Sequence, residues 1–272
     1  MAEVVVSGVF DDPRSPSIRF LQEASRSGPV HLLLWSDPAA EGLTGHAPIF
    51  PAAERRYFLE SVRYVERVTL LESLAEMDTL PVSGIAAPSA WVMQTGEDTP
   101  DRQAWCAARG IKCRIIPMAE IAGFPEPVIP AEPARQPKKV IVTGCYDWLH
   151  SGHVRFFEEA SSYGELTVSI GSDANVRDLK GAGHPLISQA ERRYMVGSIR
   201  FVHQVLINTG WGMLDAAPEI ERLRPDIYLV NEDGDTPKKR EFCAAHGLEY
   251  VVLKRLPKEG LQRRSSTHLR GF

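Results

Sequence analysis

The chain repeats itself. Residues 10–25 set beneath residues 146–161 keep Asp11 with Asp147, Ser15 with Ser151, Arg19 with Arg155, Phe20 with Phe156 and Glu23-Ala24-Ser25 with Glu159-Ala160-Ser161, all at an offset of 136. Further along, Glu54-Arg55-Arg56-Tyr57 matches Glu191-Arg192-Arg193-Tyr194 at an offset of 137, as do Asp98-Thr99-Pro100 with Asp235-Thr236-Pro237 and Cys106-Ala107-Ala108 with Cys243-Ala244-Ala245. A repeat this long means two copies of one domain, because solenoid units run to about 20–50 residues. The length of 272 residues suits two ordinary domains, and 43% hydrophobic content is enough for a core in each. In each copy short apolar runs, such as Val4-Val5-Val6 and residues 30–34, alternate with helical stretches. That alternation predicts an α/β fold with parallel sheets covered on both faces. A proline-rich stretch over 122–138 reads as a semi-rigid linker, giving domains over 1–121 and 139–272.

The chemistry is concentrated in the second copy. Residues 140–144 read as a strand and 154–160 as a helix, and His150-Ser151-Gly152-His153 is the turn between them. A strand entering a helix through a glycine turn gathers unpaired backbone N–H groups, which is how chains bind phosphate. The two imidazoles add ring donors at the same place, and Gly152 lets a phosphate come close to the backbone. In open parallel sheets such a turn lies at the carboxyl ends of the strands, where ligands bind.

The stretch Thr143-Gly144-Cys145-Tyr146-Asp147-Trp148-Leu149-His150-Ser151-Gly152-His153 resembles the HxGH signature of the nucleotidylyltransferase superfamily, and within it the cytidylyltransferases that activate ethanolamine phosphate, choline phosphate and glycerol 3-phosphate. The resemblance implies two tandem Rossmann-like domains of the HUP type, arranged as an internal pseudo-dimer. It implies catalytic roles for His150, His153 and Lys180, the last from Lys180-Gly181. It implies nucleotide contacts from Thr143, Gly144, Cys145, Gly152, Asp173, Arg192 and Asp233, and from Ser265, Ser266 and Thr267, whose segment is similar to the family's RTxGISTT signature. Gln262-Arg263-Arg264 interrupts that signature, so its arginine is Arg255, Arg263 or Arg264. Asn231 stands where the family tends to have glycine. Asp147, Trp148, Arg200 and Trp211 are candidates for the acceptor side, with packing an equal reading for the tryptophans.

The two copies are chemically unequal. Arg14-Ser15-Pro16-Ser17 stands where the second has its histidine turn, so both imidazoles and one backbone N–H are lost. Thr44 is the counterpart of Lys180. The first copy is therefore expected to be a degenerate, inactive nucleotidyltransferase-like domain. It keeps the Glu-Arg-Arg-Tyr helix and its continuation to Val65, as the second does to Val202. Those helices are expected to pack about the pseudo-two-fold axis.

A net charge of −4 gives no general basic character for nucleic acid. Lys238-Lys239-Arg240 reads as a solvated helix face, while the basic tail around the second signature could attract an anionic nucleotide. Cys106, Cys113, Cys145 and Cys243 lack metal-ligand spacing and suit reduced thiols in a cytoplasmic protein. No run is apolar enough to span a bilayer, and none at the start reads as a secretory signal. The resemblance implies transfer of a nucleotide from CTP to a small phospho-alcohol, with release of pyrophosphate and Mg2+ carried on the nucleotide phosphates. Two alternatives stay open: an ATP-dependent adenylyltransferase acting on a sugar phosphate, which the Ser265-Ser266-Thr267 run also resembles, and a non-catalytic nucleotide-binding regulator. The expected partners are thus a nucleoside triphosphate and a phosphorylated acceptor.

Overall fold

The structure is a computed structural model that describes residues 2–72, 78–80, 88–126 and 137–269, the side chains of residues 267 and 268 excepted. Most of the proline-rich linker and Arg270 lie outside the described residues. The chain divides into two compact units, Met1–Phe124 and Pro125–Phe272.

The first unit holds strands β1 (Val4–Gly8), β2 (Val30–Trp35), β3 (Arg67–Leu71), β4 (Ala90–Gln94) and β5 (Lys112–Ile116), with helices α1 (Ser15–Ser25), α2 (Asp37–Thr44), α3 (Ala52–Glu60) and α4 (Pro100–Ala107). The second repeats the series: β6 (Lys139–Gly144), α5 (Ser151–Ser161), β7 (Glu165–Ile170), α6 (Asp173–Lys180), α7 (Gln189–Gly197), β8 (Gln204–Ile207), α8 (Ala217–Leu223), β9 (Ile227–Asn231), α9 (Pro237–His246), β10 (Glu249–Leu253) and the short α10 (Ser266–Leu269). The strand orders are β3-β2-β1-β4-β5 and β8-β7-β6-β9-β10, every pair parallel, so each unit is an α/β Rossmann-like domain, as the apolar runs predicted. In both sheets the chain leaves the central strand in one direction and returns on its other side. The crevice that opens at this reversal, beyond the carboxyl ends of β6 and β9, is where a doubly wound sheet binds ligand.

Burial explains the strand sequences. Val140, Ile141 and Val142 are wholly buried, as are Val4, Val5 and Val6, because helices cover both faces of each sheet. On β6 and β9, Ile141, Tyr228 and Val230 pack with Ala216, Ile220 and Cys243 from the α8 and α9 side. By strand alternation their neighbours point to the α5 side.

The units also share polar fastenings. Arg55, buried in α3, donates to the carbonyls of Val9 and Trp35 and to Asp37 Oδ1 at 2.6, 2.9 and 2.7 Å. Arg192, buried in α7, donates to the Cys145 carbonyl at 2.8 Å and Asp173 Oδ1 at 2.7 Å. Asp11 accepts from the backbone of Ile49 and Phe50, and Asp147 accepts from the backbone of Leu186 and from the His184 ring. Phe10 and Tyr146 both adopt positive φ, 47° and 52°, and each ring packs where a Cβ on Gly8 or Gly144 would sit. Among the described residues no helix is long and apolar enough to cross a membrane.

Candidate active site

The strand–turn–helix motif closes as its sequence implies. His150 is the N-cap of α5, with extended backbone, and its Nδ1 accepts from the Gly152 N–H at 3.1 Å. An accepting Nδ1 carries no proton, so in the neutral ring the proton sits on Nε2. Among the described residues that Nε2 is enclosed and has no hydrogen-bond partner, and the same is true of Nδ1 of His153. The two rings stack at 4.0 Å between centroids. Burial, with Arg255 and Arg264 nearby, pulls His150 down to about 3. Burial and the neighbouring His150, Arg255 and Lys180 hold His153 well below the ordinary imidazole range, against a backbone hydrogen bond with Trp148. Both rings are therefore neutral near pH 7, His150 with its N–H on Nε2 and His153 with its N–H given to the Trp148 carbonyl. A Cβ on Gly152 would press on the His150 ring at 3.0 Å, which is why glycine stands there.

In front of these rings lies a cleft of about 150 Å³ over the ends of β6 and β9. Thr143, Gly144, Cys145, Gly152 and Asp233 line it together with the histidines. So do Asn231, Lys239 and Arg255. Of the three candidate arginines, Arg255 is the one that lines this cleft; it pairs with Asp233 and also donates to the Arg264 carbonyl. Arg263 and Arg264 line an adjoining recess. Ser266 donates to the Trp148 carbonyl at 3.4 Å, which docks the start of α10 against the histidine turn. Ser265 directly precedes α10, and the side chain of Thr267 lies outside the described residues.

Several expected site residues sit elsewhere. Arg192 and Asp173 are engaged with each other, the guanidinium fully buried, so they brace the floor instead of facing the cleft. Asp147 is buried and holds the 184–186 loop, a task Asp11 repeats in the unit that lacks the histidine turn, so its carboxylate is not open to an acceptor. Arg200 lines a separate cavity with Lys138, Glu165 and His203, at the amino ends of the strands, because the chain beyond α7 has by then crossed the full height of the sheet. Lys180, exposed at the end of α6, lies within electrostatic reach of His153 but does not line the cleft. Trp211 is 61% exposed and donates to Asp178 on α6, on the carboxyl edge of the sheet but outside the cleft.

Lys239 reverses an expectation. It is not on a solvated face: it is 8% exposed, donates to the Gly234 carbonyl at 2.9 Å and lies 6.0 Å over the Tyr228 ring, and burial lowers its pKa. Its signal was present in the repeat. Arg102, its counterpart, donates to the Glu97 carbonyl at 2.7 Å and lies 5.3 Å over Trp91.

Residues 141–271 match the family model described as cytidylyltransferase-like. The bifunctional protein HldE of Geobacter metallireducens is 44% identical over 107 residues, 39% of this chain and 21% of that protein. The bifunctional protein HldE of Geotalea uraniireducens is 42% identical over 124 residues, 44% of this chain and 24% of that protein. The match thus spans between a fifth and a quarter of the length of these curated relatives. Among solved structures, the lipopolysaccharide core biosynthesis protein from Thermoplasma volcanium aligns with a TM-score of 0.38 and 20% identity, covering 43% of this chain and 96% of its own.

Proposed function

Because residues 141–271 belong to the cytidylyltransferase-like nucleotidyltransferases, we propose that this half of the chain joins a nucleotide to a small phosphorylated acceptor and releases pyrophosphate. The observation that carries the proposal is the pair of enclosed imidazole nitrogens, without partners among the described residues, at the N-terminus of α5 beside the crevice where the sheet reverses. An acceptor phosphate oxygen bonds to the α-phosphorus while the bond to the β-phosphate oxygen breaks, and that oxygen leaves with the electron pair. The protein's task is to position the two ends and stabilise the departing charge. His150 donates through Nε2, His153 stacks against it with its own N–H turned to Trp148, and Arg255, Lys239 and the nearby Lys180 supply positive potential.

Among the described residues no group of three His, Cys, Asp or Glu side chains could cage a metal ion. A divalent ion such as Mg2+ would be held by the triphosphate of the nucleotide, where it would neutralise phosphate charge.

For the substrate pair we place ATP with a sugar phosphate ahead of CTP with a phospho-alcohol. The matched curated relatives, HldE proteins, favour the former, as does the Ser265-Ser266-Thr267 run with its likeness to adenylyltransferases. The description of the family model favours the latter. A pyrophosphate-release assay that crosses ATP, CTP, GTP and UTP with sugar phosphates, glycerol 3-phosphate, phosphoethanolamine and phosphocholine decides between them. Nucleotide binding without release under every pairing would overturn the enzymatic reading in favour of a regulator.

A further inference from the structure

Asn231 has no duty in the fold that accounts for it. It ends β9 and lines the cleft beside Thr143 and Arg255. It also lines the recess that runs from Gly152 and Phe156 to Lys254 and Arg264. The pleat fixes its side: Tyr228 and Val230 belong to the apolar cluster with Ile220 and Cys243, so Asn231 is set on the opposite face, with Gly152 and Phe156 of α5. Among the described residues its carboxamide makes no hydrogen bond.

We propose that the Asn231 carboxamide binds the ribose hydroxyls of the nucleotide and makes the site selective for ribonucleotides over 2′-deoxyribonucleotides. This rests on the nucleotide-binding reading above. The phosphate end of the ligand is set by the histidine turn, which follows β6, and β9 is the neighbour of β6 at the switch point. The end of β9 is thus displaced from the turn by about one strand spacing, ~4.8 Å, which is within reach of a sugar joined through its 5′-methylene to a phosphate at the turn. Phosphate oxygens only accept hydrogen bonds, and imidazole and guanidinium donors already face them. A carboxamide both donates and accepts, which complements a pair of hydroxyls. The acidic side chain that could compete for this duty, Asp233, is engaged by Arg255.

The test is calorimetric binding of ATP, 2′-deoxy-ATP, CTP and 2′-deoxy-CTP to the full chain without acceptor, in wild type, Asn231→Ala and Asn231→Asp. One hydrogen bond to a hydroxyl corresponds to about ten-fold in affinity. The wild type should prefer the ribonucleotide by about that factor. Asn231→Ala should bind the two sugars alike, with the larger loss falling on the ribonucleotide, because the deoxynucleotide has only its 3′-hydroxyl to lose from the carboxamide. Asn231→Asp, equal in size and still an acceptor, should keep part of the preference. Undiminished preference in Asn231→Ala, or equal wild-type affinity for both sugars, overturns the assignment and leaves the function reading standing. A wild-type chain that binds no nucleotide at all overturns both.

Discussion

The imidazoles of His150 and His153 stack with 28° between their planes, so the chain holds two titratable rings in a contact that tolerates little charge. His150 has a folded-state pKa of about 3, below its unfolded value of about 6.5. Between those limits the unfolded chain binds more protons, so stability is full above about pH 6.5 and falls as pH drops toward 3. In urea melts across that range, His150→Gln should lose stability with acid less steeply than wild type. Parallel curves for the two proteins would refute the burial account of the ring.

Replacing His153 by alanine removes the ring stacked against His150 and so frees that donor from its place before the departing phosphates. Loss of one such donor costs on the order of 10²–10³ in rate. Pyrophosphate release should fall by that factor with the thermal transition little changed. Wild-type turnover would mean that the rings do not face the reacting phosphate.

Arg55→Ala and Arg192→Ala should damage their own units alike, because each guanidinium ties a strand end to the acidic residue that begins the following helix. Removing one partner of a buried ion pair costs about 3–5 kcal/mol. Asp37 and Asp173 remain partly exposed, so the lower end is expected. Chemical denaturation of the two variants checks this. An Arg192 variant of unchanged stability but lost nucleotide binding would return the residue to a direct role.

Arg200→Ala should leave turnover and substrate affinity within about two-fold of wild type, since surface changes away from special features are near neutral and Arg200 lines a cavity at the opposite edge of the sheet. Steady-state kinetics with the acceptor varied will show it. A selective rise in the acceptor KM would place the acceptor outside the cleft.

The parallel α/β fold was legible because its signals lie in the sequence itself: short apolar runs alternating with helical stretches, and a repeat. The histidine turn was legible for the same reason, since strand, glycine and helix lie within a few residues of one another. Long-range engagement was hidden. Nothing near Asp147 says that its carboxylate will be taken by Leu186 and His184, nor near Arg192 that it will reach Cys145 and Asp173. The repeat could have told more than was read from it. Asp11, Arg55 and Arg102 keep their residue type or charge in a unit that lacks the histidine turn, which marks Asp147, Arg192 and part of the work of Lys239 as upkeep of the fold. For Lys239 the spacing to the buried Cys243, one helical turn on, already pointed inward.

The single backbone hydrogen bond from Gly152 to His150 decides which ring nitrogen carries hydrogen. In the first unit Pro16 stands at that position and has no hydrogen to give. Grafting imidazoles at Arg14 and Ser17 would thus leave the leading ring free to settle in either tautomer. Reviving that half of the molecule would have to begin with glycine for Pro16, and only then with the histidines.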